Sequence, residues 1–273
     1  MGGMRQPDPD SLFDAALAVL NTADATEKAR RSRWAAQRWR AGLRASTWPG
    51  DGADMPDRPA RPPRPELRAP RDMPKRRGGS AGGRIALLHA LAHIELNAID
   101  LAWDMIARFG AGRPRAFLDD WVRIGDEEAK HHLLLAGRLE AYGAAYGDLP
   151  AHDGLWQAAF ETRHDYLARL AVVPMVLEAR GLDVTPGMIA TLRRQDDDAS
   201  ADVLQIIHDD EIGHVATGKR WFEAACAERG LEPLPSWQRL VRQHFKGQLK
   251  PPFNESSRDA ADFPADWYAP LAS

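Results

Sequence analysis

The sequence predicts an all-α chain organised around a four-helix bundle, and three observations predict it. First, Glu-x-x-His occurs twice, as Glu128-Ala-Lys-His131 and Glu211-Ile-Gly-His214. A Glu and a His three residues apart share one face of a helix, about one turn apart, and so reach one point in a bundle interior. Second, each copy follows a lone glutamate within an apolar helical run, Glu95 in the first case and Glu178 in the second, and both gaps are 33 residues. Third, the midpoint of Glu95 and Glu128 falls in the turn 110–113. In an antiparallel hairpin those two residues therefore stand at the same height. Glu, Glu-x-x-His, Glu, Glu-x-x-His is the ligand set that di-iron and di-manganese carboxylate bundles draw from four helices.

The composition fits such a bundle. The chain has 273 residues, of which 44% are hydrophobic and 27% charged, enough for a sizeable core. A net charge of −3 gives no global basic field for nucleic acid or an anionic membrane. The single cysteine, Cys226, excludes an internal disulfide, a Cys-x-x-Cys redox pair and a Cys-ligated metal centre. The first ten residues lack the apolar stretch of a signal peptide, and no run reads as a membrane span, so a cytoplasmic protein is expected.

In chain order, three regions are expected: 1–80, 81–230 and 231–273. Residues 11–45 read as helical, with an apolar first half (Leu12, Phe13, Ala16, Leu17, Val19, Leu20) and an arginine-rich, tryptophan-bearing second half. That second half is either a solvated face or a contact for a partner or RNA. From Trp48 to Lys75 eight prolines exclude helix and central strand, which leaves an extended strap. The first bundle helix spans about 83–109, with Leu88, Ala92, Glu95, Ile99 and Ala102 on one stripe. Pro114 suits the first turn of the second helix, which runs to about 142. The twelve residues 143–154 can span roughly 40 Å if extended, enough to cross a bundle lengthwise, as the one-crossover, ferritin-like topology requires. The third helix begins near Leu155, is bent at Pro174 beside Glu178, and breaks after Gly181, with Thr185-Pro186 restarting it. The fourth spans about 199–228. A short helix over 237–248 and a surface tail close the chain.

Five stretches carry a family resemblance: Leu88-His-Ala-Leu-Ala-His-Ile-Glu-Leu96, Asp126-Glu-Glu-Ala-Lys-His131, Tyr146-Gly-Asp-Leu-Pro-Ala-His-Asp-Gly-Leu-Trp156, Glu178-Ala-Arg-Gly-Leu-Asp-Val-Thr-Pro186 and Asp209-Asp-Glu-Ile-Gly-His214. Over about residues 10–245 the chain resembles a ferritin-like family catalogued as a domain of unknown function. The resemblance implies a ferritin-like bundle with a dinuclear metal site, and a remote likeness to a tRNA-modifying di-iron hydroxylase. It implies no substrate. Glu95, Glu128, His131, Glu178, Glu211 and His214 match the ligand pattern one by one.

Four carboxylates and two imidazoles favour harder ions, so two iron ions are expected, with manganese or a mixed Mn/Fe pair as the alternative. The expected arrangement has Glu128 and Glu211 shared between the ions, Glu95 with His131 on one and Glu178 with His214 on the other. Ligating histidines hand their second N–H to a carboxylate, which makes Glu127 and Asp210 the outer partners to look for. His208, one turn before Glu211, is either a packed histidine or a third imidazole ligand. His89 and His93 lie on another face and are expected under the N-terminal strap. Gly125 and Gly218, beside the ligands, leave space for dioxygen or substrate or else permit close packing.

The leading functional expectation is an O₂-activating oxidase or hydroxylase acting on a small organic substrate, with an unassigned electron donor. The alternatives are ferroxidase-type iron or manganese handling and a metal-stabilised interaction module. No membrane partner is expected. Nucleic acid is not called for by the overall charge, although tRNA and self-association stay open.

Overall fold

The structure is a computed structural model that describes residues 9–45, 55–73 and 80–272. Among them there is no β-strand, only the isolated bridges Leu67–Ala151 and Leu249–Ala272. The helices are α1 (Leu12–Leu20), α2 (Ala25–Arg40), α3 (Ala81–Phe109), α4 (Arg115–Ala141), α5 (Gly154–Glu161), α6 (Tyr166–Val172), α7 (Ala179–Arg193), α8 (Asp198–Glu228), α9 (Pro233–His244), α10 (Glu255–Ala260) and α11 (Ala265–Tyr268). A π-helical turn, Val173–Glu178, joins α6 to α7. The chain divides into two units, 1–63 with 95–130 and 64–94 with 131–273, so the division falls within α3 and within α4.

In the first unit, residues 11–45 form two helices rather than one. Ser11 accepts from the Asp14 N–H and Asp24 from the Glu27 N–H, which caps each start. The buried stripe of α2 is Lys28, Ser32, Ala35, Ala36 and Trp39, so its basic half is not wholly a solvated face. Lys28 forms an ion pair with the fully buried Asp100 and donates to the Ala60 carbonyl at 3.0 Å. Burial pushes the Lys28 ammonium below its ordinary pKa and the Asp100 carboxyl above its own, each opposed by the other's charge. Arg61 donates to Asn97 at 2.6 Å and Arg108 to the Pro56 carbonyl at 3.3 Å. Residues 55–63 of the proline-rich strap are thus held without helix or strand, and further along Pro70–Asp72 forms one short 3-10 turn. The strap's flanks, 46–54 and 74–79, lie outside the described residues.

In the second unit, four helices share one core. Leu88 and Ala92 of α3, Leu135 and Leu139 of α4, Ile189 and Leu192 of α7, and Ala201, Leu204 and Ile207 of α8 form a single buried cluster. By length and composition α3 is apolar enough to cross a membrane, contrary to the sequence expectation, but most of that window is buried within the protein.

The expected third helix differs most. It is interrupted at 162–165, where Asp165 caps α6 through the Leu167 and Ala168 N–H groups and the buried Arg169 donates to Thr162 Oγ1 and the Ala159 carbonyl. The break expected after Gly181 is absent: α7 runs through Gly181 and Pro186 to Arg193. The hydrogen bond that Pro186 removes is outweighed by burial of Leu182, Thr185, Ile189 and Leu192 along a helix packed on α8.

The tail is core rather than surface. Trp237 of α9 meets Phe263 and Trp267 with ring centroids 5.3 and 5.9 Å apart, and Phe263 and Tyr268 are buried. Arg258 makes two 2.8 Å bonds to Asp183 and lies 4.2 Å from the centre of the Tyr268 ring. Helices of four and six residues carry too few turns for a period to be read from sequence.

Candidate metal centre

Three long helices deliver carboxylates and imidazoles to buried positions. On α3, Glu95 lies on the stripe of Leu88, Ala92, Ile99 and Ala102, all buried. On α4, Glu128 and His131 are both fully buried, three residues apart on one face. On α8, His214 is fully buried and Glu211 nearly so. Glu95, Glu128, His131 and Glu211 form a group in which each residue offers one ligand atom and all those atoms lie within 4.8 Å of one another. Three carboxylates and one imidazole at that spacing suit a hard or borderline divalent cation. Bringing carboxylates together away from water is costly without positive charge, which such a cation supplies. The residues fit a metal.

The other two expected ligands lie outside that group. The His214 Nδ1 stands 3.6 Å from a Glu211 carboxylate oxygen, and its ring centroid is 6.0 Å from that of His131. Glu178 is half-buried at the last position of the π-helical turn. This turn is where sequence reasoning fell short. Pro174 signalled a bend, whereas the backbone widens by one residue, which changes the direction in which every later side chain points. Wide turns of this kind are concentrated at functional sites.

The partner of that turn is Gly218. A Cβ there would stand 2.3 Å from Pro174 Cβ and 2.5 Å from its Cγ, so the glycine admits the proline ring. At Gly125 a Cβ would lie 2.8 Å from Trp103 Nε1. The Trp103 indole donates to Ser32 Oγ at 2.6 Å, and Ser32 in turn donates to the Gly125 carbonyl at 2.6 Å. Both glycines serve close packing, and the space for dioxygen or substrate entertained from sequence is filled.

Of the outer partners, Asp210 lies 2.8 Å from His131 Nε2. A carboxylate accepts, so Nε2 carries the proton and the Nδ1 lone pair is the one left for a metal. Glu127 accepts from Arg123 of its own helix at 2.6 Å. His208 is hydrogen-bonded to Ser257 Oγ at 3.1 Å, and burial holds its pKa below the ordinary histidine value. It is a packed histidine, not a member of the group.

His89 and His93 sit under the 142–153 connection. His93 bonds the Tyr146 hydroxyl at 2.8 Å and the His152 carbonyl at 3.1 Å, while His89 Nε2 accepts from the Gly147 N–H at 2.9 Å. The strap meets the same connection further on, where the Arg68 N–H donates to the Ala151 carbonyl and the Ala151 N–H to that of Glu66. Sequence gave no sign of this pairing, since neither segment is periodic.

The family described as "Protein of unknown function (DUF455)" matches residues 21–269. A Haemophilus influenzae protein, described as "Uncharacterized protein", is 42% identical over 209 residues, covering 73% of this chain and 71% of its own. No solved structure matches the chain.

Proposed function

The chain belongs to the DUF455 family, and from its own site we propose that it is a ferritin-like dinuclear non-haem iron protein, an O₂-activating oxidase or hydroxylase of a small organic substrate. The observation that carries the reading is the buried group Glu95, Glu128, His131 and Glu211. The second unit supports it, because α3, α4, α7 and α8 contribute to one core, as four bundle helices do. Glu178, at the end of the π-helical turn, and His214, on α8, complete the Glu, Glu-x-x-His pattern in the sequence.

In this reading the grouped residues hold the metal, with Glu178 and His214 filling the remaining positions. When bound, a di-iron or di-manganese pair supplies the redox chemistry that reduces dioxygen. The protein's own work is electrostatic and positional. The carboxylates neutralise the divalent charge in a site cut off from water. Asp210 holds the His131 tautomer, so the imidazole meets the metal without first losing a proton. The ring of Pro174, seated on Gly218, fixes the π-helical turn that presents Glu178.

Anaerobic titration of metal-free protein with Fe(II), followed by exposure to air, tests the proposal. Uptake should stop near two ions per chain, oxygen should be consumed, and the oxidised iron should stay bound. Paired Glu128→Ala and Glu211→Ala substitutions should abolish retention. Iron accumulating well beyond two per chain would assign the protein to metal storage. Full metal retention in the double variant would move the centre elsewhere.

A further inference from the structure

The arginines of α2 fall into three sets. Arg31 pairs with Glu27 on its own helix. Arg33 and Arg40 both pair with Asp126, at 3.1 and 2.6 Å. Arg30 and Arg38 do neither. They lie on the outer face with Trp34 and Gln37, at steps of four, three and one residues, opposite the buried stripe of Lys28, Ser32 and Trp39. Both are exposed, and Arg38 stands 5.9 Å from the centre of the half-buried Trp34 ring. Beyond the helix, Gly42 turns the chain at φ +98°, a conformation glycine adopts without strain, and the exposed Arg44 comes back towards Arg38. The two line one groove of about 310 Å³, in which Asp10 is the acidic residue. Among the described residues no carboxylate forms an ion pair with Arg30, Arg38 or Arg44.

Basic side chains in a last helical turn offset the negative end of the helix dipole. That accounts for Arg38 and Arg40. It does not account for Arg30 in the middle of α2, for Arg44 outside it, or for a tryptophan between exposed arginines.

We propose that this outer face of α2 docks single-stranded nucleic acid, with Arg30, Arg38 and Arg44 on backbone phosphates and Trp34 against a base. The single file of cations runs about 12 Å from Arg30 to Arg38 at the helical rise, which suits one phosphodiester strand rather than the two of a duplex. Guanidinium groups recognise phosphate oxygens in pairs, and an aromatic face between them stacks an unpaired base of any identity. A membrane surface is the poorer match, because the apolar side of α2 is already buried and nothing apolar remains to enter a bilayer. The net charge of −3 supplies no general attraction for polyanions, so binding has to come from this local stripe.

Fluorescence anisotropy of the full chain with a fluorescein-labelled twelve-nucleotide RNA tests this without any metal. Three phosphate contacts on a single strand give a slope of log K against log salt of about −2. The triple substitution Arg30→Gln, Arg38→Gln, Arg44→Gln should reduce binding to background and flatten that slope, with an unchanged circular dichroism spectrum. Trp34→Ala should weaken binding about tenfold. Arg239→Gln, on an exposed position of α9, should leave it unchanged. Absence of binding at low salt, wild-type binding by the triple variant, or co-sedimentation with phosphatidylserine vesicles in place of RNA binding would each overturn the proposal.

Discussion

Replacing Gly218 with alanine adds one methyl group where the structure has no room. The new Cβ would lie 2.3 Å from Pro174 Cβ. Non-bonded carbons rest about 3.5–4.0 Å apart, so a gap of more than ~1 Å has to open. Neither side yields readily: one is the backbone of α8, the other a pyrrolidine ring whose φ is fixed. Overpacking of this kind costs about 1–3 kcal/mol, and two rigid partners place Gly218→Ala at the upper end. At roughly 2–4 °C per kcal/mol for a chain of this size, the melting temperature of the metal-free protein should fall by about 6–12 °C. The ring that must move begins the turn that ends at Glu178, so metal retention should weaken as well. Gly137 supplies the control. It is exposed within α4 with nothing within 4 Å of an added Cβ, and Gly137→Ala should raise stability by about 0.5–1 kcal/mol. Differential scanning calorimetry and metal analysis of both variants decide the matter. A Gly218→Ala protein melting within about 2 °C of wild type would refute the argument that Pro174 and Gly218 are a fitted pair.

Asp210→Asn should lower metal affinity by about 10–100-fold with little change in the fold, because His131 loses its carboxylate acceptor; competition with a chelator measures it. At Asp197, burial raises the carboxyl pKa, but bonds from the Tyr142 hydroxyl and Ser200 together with Arg138 hold it below the ordinary value. Its contribution to stability is therefore present above the unfolded pKa of about 3.9 and lost as pH falls through the lower folded value. Asp197→Asn should accordingly lower stability at neutral pH, and the gap from wild type should close on acidification, as urea unfolding at several pH values will show. Burial pushes the Cys226 thiol up to about 11, so iodoacetamide should label it at pH 8 only once urea has unfolded the chain, and rapid labelling of the native protein would count against that burial.

What the sequence revealed follows the physics of periodicity. Glu95, Glu128, His131 and Glu211 were legible because each sits in a long amphipathic helix, where burial repeats every three or four residues and a polar intruder stands out. The ends of α3, α4 and α8 were legible for the same reason. Asp210 was legible through the chemistry of histidine ligation. The π-helical turn was not, since one inserted residue leaves composition and spacing almost unchanged, and only the Pro174–Gly218 contact betrays it. Neither was the tail, whose Phe263, Trp267 and Tyr268 are buried by tertiary contact alone. Gly125 was noticed, but its partner Trp103 lies on another helix, a relation that a linear sequence does not contain.

The buried Lys28–Asp100 pair has a consequence for how the protein is assembled. The hairpin of α1 and α2 is complete within the first 40 residues, yet the acid that neutralises Lys28 lies 72 residues further along. Until α3 exists, a lysine ammonium on the inner stripe of that hairpin has no buried counter-charge and must stay hydrated, so the inner stripe stays wet. The N-terminal hairpin therefore cannot serve as the nucleus of its unit. It has to dock late, onto a preformed α3, and it must close a long loop as it does so. A synthetic peptide of residues 9–45 should accordingly show little stable helix in water, and refolding should show the Trp39 environment forming after the helices of the second unit.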